Sequence, residues 1–459
     1  MPASAASSTT VFKPTAVYSI GNNNQGQLGL GDCKSESTFS FLDSLSNVSV
    51  KSCKSSLLHT ALLTHDHDMM TWGANLHFQI GHKGGANTSI FPSFVESLPF
   101  SVKAGAFPKD AILDLALGGW NSFALTKAPR TGASHIYTWG NNACGQMGIG
   151  SIFNIQTPSI IQSLATFNIV QIASGGFYHT HFLTDKGMVL SCGRSVDGQL
   201  GISNVIAGGG GGDADNYVAI PIRADLLSDI IVRSITCGVF HSLAIDDKGD
   251  LYQWGRGELR KESKDDVHYN PMNQFNRYDR TADMDRVSKI TGIEGRVIQI
   301  AASDNLSFAL TDDGVLYQWT CMDLTPIKLA HPEFNNHKII HISTSPTHTG
   351  VILRPDDIES SSSSSSATAA ALTDVNDQSN NSNSNSNNKV FIWANRSFSL
   401  DKQLHGSMFS TVTETKQLFN FPSDHQVVDL SLGAHYAVVL AEQRTTNNAN
   451  TANTTITQS

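Results

Sequence analysis

Four histidines are the first residues whose type and spacing could do chemistry. His59, His179, His241 and His348 each stand three residues after a small residue (Ser56, Gly176, Gly238 and Ser345) at the head of an apolar strand. Imidazoles this regular suggest a metal site, because zinc takes nitrogen ligands at about 2.0–2.1 Å. They occur, however, in separate repeating units, and a repeat fold holds equivalent positions well apart. Each is therefore expected to bond its own loop backbone. The run His65-Asp66-His67-Asp68 reads as a hairpin turn. Six cysteines (Cys33, Cys53, Cys144, Cys192, Cys237 and Cys321) lie far apart, with no C-x-x-C pair, the usage of free thiols in a reducing compartment. No Ser/His/Asp arrangement, phosphate-binding Gly-Lys-Ser/Thr motif or paired-carboxylate signature stands out. The expectation is a protein that is not an enzyme, with no catalytic residue, no metal and no cofactor.

Surface recognition is the other chemistry on offer. Between the small residue and the residue three further on lie two variable positions, and the second of them is Trp120, Tyr178 and Phe240 in three consecutive units. Equivalent loops of neighbouring units emerge on one face, so these rings are expected to form an aromatic arc that binds a partner. Exposed aromatic clusters of this kind supply hot spots in protein interfaces.

Two patterns, each occurring seven times, must position these residues. The first is an apolar strand ending in an aromatic residue and glycine: VYSIG at 17–21, MTWG at 70–73, IYTWG at 136–140, VLSCG at 189–193, LYQWG at 251–255, LYQWT at 316–320 and VFIWA at 390–394. Trp72, Trp139, Trp254, Trp319 and Trp393 share one place in it, which predicts core packing. The first four strands run into a turn of fixed spacing, Gly26-Gln27-Leu28-Gly29, Phe78-Gln79-Ile80-Gly81, Gly145-Gln146-Met147-Gly148 and Gly198-Gln199-Leu200-Gly201. Glycines at fixed offsets supply backbone conformations that other residues enter only with strain. The second pattern carries Ser56, Gly118, Gly176, Gly238, Ser303, Ser345 and Gly433, followed at the third residue by His59, Asn121, His179, His241, Leu306, His348 and Tyr436.

Composition agrees with an all-β repeat fold. The 459 residues include 37 glycines and only 15% charged residues, a profile of many tight turns. The net charge is −9, and no stretch at either end is dense in Lys or Arg. Direct nucleic-acid binding is not expected. No segment approaches eighteen apolar residues, so no membrane association is expected either, and the chain reads as a cytoplasmic or nuclear monomer.

The combination G-x-x-H-[ST] with W-G-x-N-x-x-G-Q-L-G resembles the repeat of the regulator-of-chromosome-condensation family, over about residues 15–440 and most closely in the first four units. The resemblance implies a seven-bladed β-propeller. The chain begins with the strand-and-turn half of a unit and ends with the other half, so the strand near Tyr436–Leu440 is expected to pair with the one near Val17–Ile20, closing the ring. One propeller at 15–440 follows, with inserts at 203–216 and 258–288. Low-complexity residues 356–389, the N-terminal 1–14 and the tail 441–459 are expected to be disordered.

Two functions are implied by the resemblance. The first is a protein-interaction adaptor similar to the fungal alpha-tubulin suppressor, which pairs with a small metal-binding electron carrier in diphthamide synthesis and in Elongator-dependent modification of the tRNA wobble uridine. The alternative is nucleotide exchange on a small GTPase, as the founding member performs on Ran, with the loop at 203–216 as a wedge. Plant ultraviolet photoreceptors of the family carry several tryptophans where this chain has only Trp120, so photoreception is not expected.

Overall fold

The computed structural model describes residues 15–443 except 85, 97, 99–110, 129–131, 177, 204–216, 257–285, 336, 356–387, 396–416 and 423. Its strands form seven antiparallel four-stranded sheets, each one blade. The innermost strands are Val50–Ser55, Ala111–Leu117, Ile169–Gly175, Val232–Cys237, Val297–Ala302, His337–Thr344 and His425–Leu432. Each packs against the next, and the last returns to the first, so the blades form a closed ring. In every blade the pairing of the inner strand with the second is interrupted by a bulge within the inner strand's first four residues, from Val50/Ser52 in the first to Val427/Asp429 in the seventh. Such bulges increase the local twist.

The seventh blade is made from both ends of the chain. Thr15–Gly21 pairs with Tyr436–Gln443, placing Val17 opposite Leu440 and Ile20 opposite Ala437, as the phase of the two half-patterns predicts. Glu36–Phe41 is its outer strand and His425–Leu432 its inner one. Across the same seam the Tyr436 hydroxyl donates to the carbonyl of His59 in the first blade at 2.7 Å and lies 3.0 Å from the Thr60 hydroxyl, whose single proton it shares with the Gln27 carbonyl.

The repeat residues hold one blade to the next. At the first junction the indole N–H of Trp72 donates to the carbonyl of Gln27 at 2.9 Å, and the Thr60 hydroxyl donates to the same oxygen. Trp139 and Ser122 do so at Gln79, and Trp254 and Ser242 at Gln199. Each Gln-containing turn is thus a backbone acceptor for the following blade. In the first of these turns Gly29 has φ +73°, and a Cβ there would stand 2.8 Å from the Trp72 ring nitrogen, a position only glycine fills without strain. The fourth blade has no such turn among the described residues, and the Gln253 side chain takes over, its amide oxygen accepting from Trp319 at 2.8 Å and from Ser307 at 3.0 Å. Trp72, Trp139, Trp254 and Trp319 are buried, but Trp393 is only half-buried, against Phe334 and Phe391.

The edges of the expected segments shift slightly. Ser203 is held by hydrogen bonds to Asp225, Ser288 opens the strand Ser288–Ile290, and Lys389 opens Lys389–Ala394, while the closing strand runs on to Gln443. The interiors of the inserts, residues 1–14 and the tail beyond 443 lie outside the described residues. Among the described residues no helix is long and apolar enough to cross a membrane.

Candidate partner-binding face

One hydrogen bond brings the two patterns together in all seven blades. The residue after the strand-ending position donates its N–H to the carbonyl of the second variable residue: Asn22 to His435, Ala74 to Leu58, Asn141 to Trp120, Arg194 to Tyr178, Arg256 to Phe240, Cys321 to Asn305 and Asn395 to Thr347. The loops of both patterns therefore share one face of the ring. At Gly193, with φ +109°, a Cβ would collide with the Tyr178 carbonyl, so only glycine fits there without strain.

Trp120, Tyr178 and Phe240 are all half-buried on this face, and they divide into two groups. Tyr178 and Phe240 stack across the junction of the third and fourth blades, with centroids 6.1 Å apart and ring planes 27° from parallel. Trp120 packs instead against His77 in the Gln79 turn of the first blade, centroids 5.0 Å apart. Two arginines that sequence reasoning missed complete the first group: Arg194 lies 5.1 Å from the Tyr178 centroid and Arg256 3.8 Å from that of Phe240. Arg256 also pairs with the carboxylate of Asp197 at 3.2 Å. Partial burial, with Asp197 and Asp304 nearby, holds the Tyr178 hydroxyl above its ordinary pKa despite Arg194, so it is a neutral hydrogen-bond donor at physiological pH. Cation–π contacts of this kind are worth about 0.5–2 kcal/mol each. The result is a pre-ordered surface of aromatic rings and guanidinium groups, residue types that anchor protein interfaces. The signal available in sequence was the arginine directly after the strand-ending glycine in two consecutive units.

The expectation for the histidines needs correcting. His59, His179 and His241 reach the next blade, not only their own loop: each Nε2 lies about 3 Å from a serine hydroxyl there, Ser122, Ser242 and Ser307 respectively. A second-strand hydroxyl facing the preceding blade gives the imidazole a nearer partner than its own backbone. Burial lowers the pKa of His59 to about 3 and that of His241 to about 4, so both are neutral. His348 does contact backbone, 3.4 Å from the Ala434 carbonyl, but again in the neighbouring blade.

A closed ring of seven four-stranded blades with one face stitched from paired loops is a β-propeller scaffold. Parts of the chain match the regulator of chromosome condensation (RCC1) repeat: the family description matches residues 16–63, 134–183 and 186–245, and a second description of the same repeat matches 169–199 and 232–259. It is similar to the E3 ubiquitin-protein ligase HERC2 of Homo sapiens, 28% identical over 319 residues, which are 68% of this chain and 6% of HERC2. The chain thus spans a small part of that relative. Human WBSCR16 has the same fold, with TM-score 0.63 and 19% identity over 93% of this chain and all of that one. Prp20p of Saccharomyces cerevisiae, described with its binding properties to Gsp1p and histones, has TM-score 0.65 and 18% identity over 94% of this chain and 92% of its own.

Proposed function

We propose that the protein is a non-enzymatic adaptor that captures a protein partner on the face bearing Trp120, Tyr178 and Phe240. The observation that carries this reading is the Arg194–Tyr178–Phe240–Arg256 stack, in which two guanidinium groups and two rings are held in place before any partner arrives. Pre-ordering lowers the side-chain entropy cost of binding, about 0.5–1.5 kcal/mol per immobilised side chain. The partners that fit the family resemblance are a small electron-carrier protein or the Elongator complex, in the cytoplasm or nucleus. A second reading, nucleotide exchange on a small GTPase, draws on the likeness of fold to Prp20p.

Affinity purification of the full chain separates the two. Recovery of the electron carrier or Elongator with no GTPase supports the adaptor, and accelerated nucleotide release from a small GTPase by the purified protein supports exchange. Replacing Tyr178 and Phe240 together by alanine is expected to weaken capture at least about 30-fold, the scale of a hot spot of about 2 kcal/mol. The melting temperature should fall by only a few degrees, because both rings are half-exposed. Unchanged capture would place the interface elsewhere.

A further inference from the structure

The junction of the third and fourth blades holds a cluster that the stitching of the ring does not require. His181 is fully buried on the second strand of the third blade, His179–Thr184. The matching residue in the other blades is Ala61, Phe123, Leu243, Phe308, Gly350 or Val438, all without a polar side chain. Beside it stand His179 and, from the inner strand of the fourth blade, Cys237. One ligand atom from each of the three lies within 4.8 Å of the others. Tetrahedral zinc with bonds of about 2.0–2.3 Å spaces nitrogen and sulfur ligands roughly 3.3–3.6 Å apart, so closure needs movements of about 1 Å.

We propose that His179, His181 and Cys237 form a buried Zn²⁺ site that clamps the third blade to the fourth. Two imidazoles and one thiolate are a borderline-soft donor set, suited to zinc and unsuited to calcium or magnesium. The orienting contacts exist: His181 Nδ1 lies 2.7 Å from the Ser191 hydroxyl, which fixes the ring as outer-shell partners of metal ligands do. The Ser242 hydroxyl stands between the two imidazoles, 3.0 Å from His179 Nε2 and 2.8 Å from His181 Nε2, and can turn to the Gln199 carbonyl, 3.2 Å away. The Ser242 hydroxyl is the oxygen placed to take the fourth position of a tetrahedral site. Burial keeps both imidazoles neutral and the Cys237 thiol protonated. As the zinc–sulfur bond forms, the sulfur–hydrogen bond breaks and the proton passes to solvent.

The test uses the full-length protein after chelator treatment, titrated with Zn²⁺ and with Co²⁺ as its spectroscopic surrogate. One equivalent of zinc should bind and raise the melting temperature, and Co²⁺ should give tetrahedral ligand-field bands with a thiolate charge-transfer band. Cys237→Ser should lose the charge-transfer band. His181→Phe installs the residue of the second and fifth blades, so it should fold in chelator with an unreduced melting temperature yet bind zinc at least 100-fold more weakly. Two results would overturn the assignment: no stoichiometric metal on the folded wild-type chain, which makes the cluster a serine-centred hydrogen-bond network only, or full binding by the His181→Phe, Cys237→Ser double variant. Neither outcome bears on the partner face, which is read by capture.

Discussion

At the scale of single residues, the buried histidines make the ring sensitive to acid. His59 is fully buried with its pKa lowered to about 3, below the ordinary value of 6.5. The unfolded chain therefore takes up a proton as the pH falls through about 6.5, while the folded chain does not until about pH 3. Stability is complete above the unfolded value and declines across that window, by up to about 1.4 kcal/mol per pH unit for this one side chain. Urea unfolding between pH 7 and pH 5 should show the decline. His59→Asn, which adopts the residue of the second blade at Asn121, should be less stable at pH 7 but have a shallower pH slope. An equal slope would mean that other groups govern the acid response.

At the scale of elements, the blade junction is the unit of cohesion, and its chemistry changes around the ring. Trp139 donates to a backbone carbonyl that also accepts from Ser122, whereas Trp319 and Ser307 depend on the side chain of Gln253. Trp139→Phe removes one of two donors and should cost about 1 kcal/mol. Gln253→Leu strands two buried donors and should cost more, about 2–4 kcal/mol. Chemical denaturation of the pair decides the order, and a reversal would show that the turn carbonyl is the stronger acceptor site. This difference also marks how far sequence could be read. The seven strands and seven loops were legible because glycine, aromatic and small residues recur at positions where the backbone demands them. Gln253 was not, because a side-chain amide replacing a turn carbonyl leaves no spacing to recognise. The candidate face was legible in part: Trp120, Tyr178 and Phe240 stood at equivalent places, but that two of them stack while Trp120 turns to His77 depends on interblade contacts that no single unit encodes.

At the scale of the whole molecule, closure rests on the seam of the seventh blade. Tyr436 occupies the place that histidine holds in four other units, and its hydroxyl links His59 and Thr60 of the first blade across 376 residues of sequence or more. Tyr436→Phe keeps the ring shape and removes these bonds, with an expected cost of about 1–3 kcal/mol. A larger loss, with exposure of the Thr15–Gly21 strand to proteolysis, is expected if the chain is cut back before His425, because the seventh blade then lacks two of its four strands. Limited proteolysis of such a truncation checks this, and native-like resistance would mean that the ring does not need its clasp.

The seam also sets a timetable. A chain made from its first residue onward exposes the Val17 strand early and meets its partner only when Leu440 has emerged. At roughly 5–20 residues per second, Thr60 waits tens of seconds for Tyr436, 376 residues downstream. Until then the Thr15–Gly21 strand lacks the neighbour with which it pairs in the closed ring, and an unpaired strand edge is a site of aggregation unless it is shielded.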